Sequence, residues 1–205
     1  MLRRLWETHV YPRVLDRVCG TADIIEERRR AMAHARGHVL EIGVGSGLNL
    51  PLFDPRHVLD VVGIDPSPPL LARAASRNAG VSVELARGVA EELPFDTARF
   101  DTAVLTYTLC SVTDPARALA EARRVLRPGG KLVFIEHGLS PDPRTARWQH
   151  RLTPIWKVVA GNCHLDRDIK RQVEAVFSID ELGDYQGHHR PGRLSFAYVG
   201  VATAR

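Results

Sequence analysis

The chain has 205 residues, room for one domain of ordinary size and tight for two. Hydrophobic residues make up 44% and charged residues 25%, with 28 basic against 24 acidic side chains and a formal net charge of +4. That composition excludes a collagen, a long coiled coil and a wholly disordered chain, and the near balance of charge demands no nucleic-acid partner. No stretch approaches the ~18 apolar residues of a membrane-spanning helix.

Residues 1–36 read as a basic helical lid. Leu2, Leu5, Trp6, Val10, Val14 and Val18 recur at spacings near three and four. Pro12 predicts a kink or two pieces. The run Arg28-Arg29-Arg30 reads as a solvated helix face, and residues 1–30 as a surface capable of weak membrane contact. Arg3 and Arg4 are not followed by an apolar run of signal-peptide length, which gives the expectation of a cytoplasmic chain.

After residue 37, short apolar runs alternate with helical stretches. Strands are expected at His38–Ile42, Leu59–Ile64, Val81–Ala86, Phe100–Thr106 and Lys131–Glu136. Helices are expected at Pro68–Asn78 and Pro115–Leu126, the second capped by Asp114 and ended by Arg127-Pro128-Gly129-Gly130. Further helices follow at Ala146–Ala160 and Asp166–Phe177, then strands at Ile179–Tyr185 and Leu194–Ala202. The alternation predicts an α/β, Rossmann-like, doubly wound parallel sheet. The last two strands have no helix between them and should pair antiparallel. We read residues 1–205 as one domain: a lid (1–36), a core (37–136), and acceptor-side helices with the final strands (137–205).

The informative stretch is Glu41-Ile42-Gly43-Val44-Gly45-Ser46-Gly47, directly after the first strand. Glycines there let the backbone turn tightly and approach a ligand, and a following helix N-terminus would add N–H donors. A dinucleotide fingerprint needs GxGxxG, but Leu48 or Leu50 falls at the third glycine in either frame. This disfavours an NAD-dependent oxidoreductase. Asp65 closes the second strand, where a carboxylate can accept hydrogen bonds from ribose hydroxyls and repels a 2′-phosphate.

These segments resemble the class I S-adenosylmethionine-dependent methyltransferases. Glu41–Gly47 matches the first motif and Asp65 the second-strand acid. Gly88-Val89-Ala90-Glu91-Glu92-Leu93-Pro94-Phe95 followed by Phe100-Asp101 is similar to the third, and Leu126–Leu132 to the segment before the fifth strand. The resemblance implies a seven-stranded sheet with its last strand antiparallel and S-adenosyl-L-methionine as cofactor. It implies that Glu41 orients the glycine loop or reaches the cofactor ammonium, and that the backbone of Gly43, Gly45 and Thr106 meets the amino-acid moiety. Gly47 belongs to the same loop, and Asn49 lies close enough to assist. Pro66 and Ser67 are expected near the adenosine. Val89 stands where the family carries an Asp for the adenine, so Val89, Ala90 or Glu91 must take that contact.

A narrower resemblance, to the methyltransferase-like 7 family of alkyl thiol methyltransferases, rests on Leu109–Val112, Glu136-His137, Trp148-Gln149, Pro154-x-Trp156 and Cys163-x-Leu165-x-Arg167. The long hydrophobic N-terminal anchor of those relatives has no counterpart here, which gives the expectation of a soluble version. Bacterial phospholipid N-methyltransferases share the glycine loop and the Arg-Pro-Gly-Gly segment. The resemblance therefore implies methyl transfer to a small hydrophobic acceptor, first a thiol. The alternatives are the amine of phosphatidylethanolamine or another small amine, and a non-catalytic S-adenosylmethionine-binding protein.

The acceptor side should be lined by Tyr107, Cys110, Trp148, His150, Trp156 and His164. A thiol reacts as its thiolate, and His137, at the carboxyl end of a central strand, is the first choice for the proton acceptor. Trp148 and Trp156 read as core or as apolar lining. The three cysteines, Cys19, Cys110 and Cys163, show no disulfide framework and no CxxC spacing. Neither Cys163-His164 nor His188-His189 has paired ligand spacing, so no metal site is expected.

Overall fold

The computed structural model describes residues 11–186 and 196–205; the side chains of Tyr11, Tyr185 and Gln186 are outside that description. The expected apolar positions Leu2, Leu5, Trp6 and Val10, and the pair His188-His189, lie outside the described residues. Helices α1 (Tyr11–Cys19) and α2 (Ala22–Met32) lead into β1 (Gly37–Ile42). Then come β2 (Val58–Asp65), α3 (Pro68–Ala74), β3 (Ser82–Arg87), β4 (Phe100–Thr106), α4 (Pro115–Val125) and β5 (Leu126–His137). The chain ends with α5 (Pro143–Val159), α6 (Ile169–Glu174), β6 (Phe177–Gln186) and β7 (Phe196–Ala204).

Seven strands form one sheet in the order β3-β2-β1-β4-β5-β7-β6. β1 pairs in parallel with β2 and β4, and β4 with β5, while β7 runs antiparallel to both β5 and β6. The middle strands are near-continuous apolar runs because both faces are covered. Leu40, Ile42, Leu105 and Phe134 pack beneath α4 and α6 on one face. Val39, Val104 and Val133 pack beneath α2 and α3 on the other. The Asp114 carboxylate accepts the Arg117 N–H at 3.0 Å, which caps α4 as expected.

The chain departs from the sequence-based expectations in several places. No α-helix follows the glycine loop; a single 3-10 turn spans Leu50–Leu52. Pro55 explains this, because a helix starting at residue 50 would hold a residue with no N–H in its second turn. The predicted helix over Pro68–Asn78 stops at Ala74, and that over Asp166–Phe177 shrinks to Ile169–Glu174, with Asp168 accepting the Arg171 N–H at 3.1 Å. Arg127–Gly130 joins β5 instead of breaking the chain before it. Gly129 takes φ +75°, and the pairing shifts register between Phe100 and Thr102.

Candidate active site at the carboxyl ends of the strands

The glycine loop turns between β1 and the β2 end. Gly43, Gly45 and Gly47 all have positive φ, at 76°, 54° and 76°. Their surroundings differ. A Cβ on Gly43 would lie 2.3 Å from Thr108 Oγ1, and one on Gly47 would meet Leu50 Cδ1 at 2.8 Å. A Cβ on Gly45 would meet nothing nearer than Gly43 O at 3.9 Å. Gly43 and Gly47 therefore serve packing, while Gly45 presents bare backbone to open space. Asp65 Oδ2 accepts the Gly45 N–H at 3.0 Å and Oδ1 the Ser67 N–H at 2.8 Å. Burial pushes this carboxyl up while those two bonds pull it down. Each oxygen keeps a further acceptor site, so the carboxylate can still meet ribose hydroxyls. Pro66 is exposed and Ser67 half-buried beside it.

Beneath the loop lies a buried polar network that sequence reasoning resolved only in part. Arg28 is 4% exposed. It is no solvated face residue, unlike its exposed neighbours Arg29 and Arg30. Its Nη1 donates to Asn49 Oδ1 at 2.7 Å and to Thr106 Oγ1 at 2.9 Å, and its guanidinium lies 5.2 Å from the centre of the Tyr107 ring. Asn49 Nδ2 donates in turn to Glu41 Oε1 at 2.8 Å and to Thr106 Oγ1 at 3.0 Å. Burial pushes the Glu41 carboxyl up to about 8, against the Asn49 hydrogen bond and the Arg28 charge. Glu41 Oε2 and Arg28 Nε are buried without a partner in this network. An unsatisfied carboxylate oxygen and a buried cation beneath a bare glycine turn suit a ligand that carries both an ammonium and a carboxylate. The residues present thus fit the amino-acid end of the expected cofactor.

The lid is fastened to this loop. Asp16 of α1 accepts the Ser46 hydroxyl, Arg73 Nη1 at 2.8 Å and Arg77 Nη2 at 3.2 Å, and Arg77 Nε donates to Ser46 O at 3.0 Å. Near the expected adenine side, Ala90 is buried and Val89 44% exposed. Glu91 does not join them. Its Oε1 accepts the N–H groups of Thr113 at 2.8 Å and Asp114 at 3.2 Å. The carboxylate is drawn to unpaired donors at the start of α4, so the adenine reading of its side chain is corrected.

The acceptor side starts where β4 ends. Tyr107 has φ +57°, an uncommon conformation for a bulky residue, and its ring lies 4.8 Å from that of His137. Glu136, fully buried, accepts the N–H groups of Thr108 at 2.8 Å, Leu109 at 2.9 Å and Cys110 at 3.1 Å. Burial pushes Glu136 up to about 7, and those bonds moderate the rise. Arg167 donates to Leu109 O and, at 2.8 Å, to Val112 O. His164 N–H donates to Cys110 O at 2.7 Å, and Asn162 Nδ2 to Ser111 O at 2.7 Å. The 107–112 loop is therefore held from both sides.

Inside this frame, Cys163 Sγ lies 3.5 Å from Cys110 Sγ and 3.5 Å from His137 Nδ1. The shared hydrogen bond with Cys110, then His137, holds the Cys163 thiol well below its ordinary range and the Cys110 thiol above it. Trp156 lowers the Cys163 thiol a little further. Cys163, Glu136, Arg167 and Arg28 were not chosen as site residues from sequence. The visible signal was a charged residue closing an apolar strand in the case of Glu136.

Two predicted lining residues fall elsewhere. The buried stripe of α5 is polar: Thr145, Gln149 and Thr153, with Gln149 donating to Gly138 O at 2.9 Å and accepting the Ser140 N–H at 2.8 Å. Trp148 is therefore turned outward, 56% exposed, with the Arg151 guanidinium 5.6 Å from its ring centre. His150 is exposed and pairs with Asp166 at 2.9 Å. A cavity of about 430 Å³ lies at the amino ends of the strands, lined by residues such as His38, Asp60 and Arg127. Ligands of open sheets bind at the opposite, carboxyl ends, so this cavity is not the site.

Comparison with known proteins bears on this arrangement. The methyltransferase-domain family matches residues 40–134. Thiol S-methyltransferase TMT1B of Rattus norvegicus is 36% identical over 152 residues, 70% of this chain and 61% of the relative. Its Homo sapiens counterpart is 32% identical over 180 residues, 83% of this chain and 71% of the relative. Phosphatidylethanolamine N-methyltransferase of Cereibacter sphaeroides is 40% identical over 117 residues, 54% of this chain and 57% of the relative. The chain thus spans about three fifths of the rat and bacterial relatives. A solved SAM-dependent methyltransferase of Thermotoga maritima superposes with a TM-score of 0.68 at 24% identity, covering 100% of both chains.

Proposed function

We infer the methyl acceptor from the family: the chain belongs to the class I S-adenosylmethionine-dependent methyltransferases and stands close to the thiol S-methyltransferases. The acceptor is the thiol sulfur of a small apolar molecule. One observation carries this reading. The 180-residue match to the human thiol S-methyltransferase cannot fit within the cofactor core of residues 40–134, so it takes in acceptor-side sequence. The 117-residue match to the phosphatidylethanolamine enzyme exceeds that core by little.

S-adenosylmethionine, when bound, supplies an electrophilic methyl group on a sulfonium sulfur. Gly45 backbone, Arg28, Glu41 and Asp65 hold it, with Asn49 and Thr106 fixing Arg28 and Glu41 in place. Tyr107 and the 108–110 loop wall the acceptor from water, and Glu136 fixes that loop. In the chain without a bound ion, His137 takes the acceptor's S–H proton, giving the thiolate that is the nucleophile. His137→Ala should lower turnover on thiols at least ~10-fold with cofactor affinity nearly unchanged, and wild-type turnover in that variant would overturn the assignment.

A second reading has its own support. Trp148, Ile155, Trp156, Val158 and Val159 of α5 are exposed, a surface suited to a lipid interface, and the bacterial relative at 40% identity is a phospholipid enzyme by name. Methyl-labelled S-adenosylmethionine should be offered with alkyl thiols and, separately, with phosphatidylethanolamine vesicles. Label in the thiols is the expected result. Label in the lipid alone would replace the thiol reading with the second one.

A further inference from the structure

We propose that Cys110, His137 and Cys163 form a three-ligand site for a soft divalent cation of the zinc class, with its fourth position taking the acceptor's sulfur. The three donors come from the loop after β4, the end of β5, and the turn between α5 and α6. Their ligand atoms all lie within 4.8 Å of one another. Zinc bonds of about 2.3 Å to sulfur and 2.0 Å to nitrogen, set tetrahedrally, separate two sulfurs by about 3.8 Å and sulfur from nitrogen by about 3.5 Å. The Sγ–Sγ and Sγ–Nδ1 separations here are 3.5 Å each. Two thiolates and an imidazole are also the donor set that prefers zinc or cobalt over magnesium or calcium.

The absence of CxxC spacing gave no hint of this cluster, because all three ligands sit on different elements. The frame around it is rigid. Glu136, Arg167, His164 and Asn162 pin the backbone on both sides of Cys110, so two ligand-bearing loops are fixed relative to β5. Cys110 and Cys163 are buried, whereas His137 is half-buried and packs against the half-buried Tyr107. The less buried side of the cluster is therefore that of His137 and Tyr107, and the fourth position is assigned there. A thiol R–SH arriving there forms a metal–sulfur bond as its S–H bond breaks, and the proton passes to water. No electrons change hands, and the ion holds the thiolate. In the loaded chain His137 is thus a ligand, and the ion does the acidifying. The use of the fourth position rests on the thiol reading above; the binding of the ion does not.

Cobalt(II) serves as the spectroscopic probe. The full chain, kept reduced, should take up one cobalt with a sulfur-to-cobalt charge-transfer band and tetrahedral ligand-field bands, both abolished by zinc. Cys110→Ser, Cys163→Ser and His137→Gln should each weaken cobalt binding by more than ~100-fold. Retained S-adenosylmethionine binding in those variants shows that they fold. An alkyl thiol should shift the ligand-field bands, whereas an amine should not. No charge-transfer band in the reduced wild type, or an unchanged band in Cys163→Ser, overturns the site. A cobalt site whose spectrum ignores thiols overturns the role of the fourth position. Methylation assayed without added metal tests the thiol reading separately: a cobalt-binding chain that never labels thiols would sink that reading and leave the ion site standing.

Discussion

From Glu41 to Asn49, nine consecutive residues supply the glycine turn and two members of the buried network beneath it. The facing half of the site draws Cys110, Glu136, His137, Cys163 and Arg167 from segments more than 50 residues apart at their extremes. The first half is specified locally: positive φ at three glycines and a short-range Asn49–Glu41 bond. The second exists only after the sheet has formed, because its loop is held by groups on β5 and on the turn before α6. The two meet at Thr108, whose hydroxyl donates to Ile42 O at 3.1 Å and would block any side chain on Gly43. Local construction makes a part recognisable; assembly from distant segments makes it depend on the fold.

The largest expected effect comes from breaking the assembled half alone. Glu136→Ala strips acceptors from three backbone N–H groups. Each buried orphan costs about 1–3 kcal/mol, so denaturant unfolding should show a loss of about 3 kcal/mol or more. Methyl transfer should fall below detection while cofactor affinity, by calorimetry, stays within about threefold. A matching loss of cofactor affinity would mean that the halves are coupled through Thr108. Arg28→Ala should do the reverse. Losing the cation leaves Asn49 Oδ1 without a donor and removes one of the two donors to Thr106 Oγ1. Cofactor affinity should drop about 10–100-fold, with a stability loss of about 2 kcal/mol and turnover at saturating cofactor largely kept. Unchanged cofactor affinity would remove Arg28 from the binding half.

The same contrast explains what was legible in the sequence. Asp65 and the three glycines were readable because a turn that needs positive φ, beside a strand-ending acid, is a local signature. The strands themselves were readable as apolar runs separated by helical ones, and the antiparallel pairing of the last two as the lack of a helix between β6 and β7, whereas the order in which the seven lie side by side came only from the structure. Arg28 was misread because three consecutive arginines on a helix point in three directions, and only tertiary packing tells which one enters the core. Cys163 lay in plain view beside His164. What was missing was the crossing that sets it against Cys110, 53 positions away in sequence. Glu91 failed for a physical reason as well: the start of α4 offers backbone donors that compete for its carboxylate.

A smaller effect at neutral pH separates the halves by titration. The folded-state pKa of Glu41 is about 8, above its ordinary 4.5. Below about 4.5 both folded and unfolded chains carry the proton and the contribution is complete. Between the two values only the folded chain holds it, so stability falls as pH rises, by at most about 1.4 kcal/mol per pH unit. Glu136, raised to about 7, acts in the same sense. Glu41→Gln keeps an acceptor for Asn49 and removes the titration. Its urea midpoint should therefore gain on that of the wild type as the pH goes from roughly 5 to 8. A constant difference across that range would show that Glu41 is ionised in the folded chain.

The smallest expected effects divide α5 itself. Trp148 and Trp156 look equivalent in sequence and both are exposed, yet Trp156 helps to lower the Cys163 thiol, while the Arg151 guanidinium lies over the Trp148 ring. Trp148→Ala should change stability by less than about 0.5 kcal/mol and leave the KM for a thiol unaltered, as for other exposed positions away from special features. Trp156→Ala should raise that KM several-fold with kcat less affected, because it removes apolar wall beside the sulfur cluster without touching His137. If the acceptor is a lipid, the pattern inverts. Trp148 and Trp156 then both belong to the docking surface with Ile155, Val158 and Val159, and Trp148→Ala should weaken vesicle binding while soluble thiols remain poor substrates for both variants. One pair of substitutions on one helix thus tests whether the acceptor is a soluble thiol or a lipid met by the exposed side of α5.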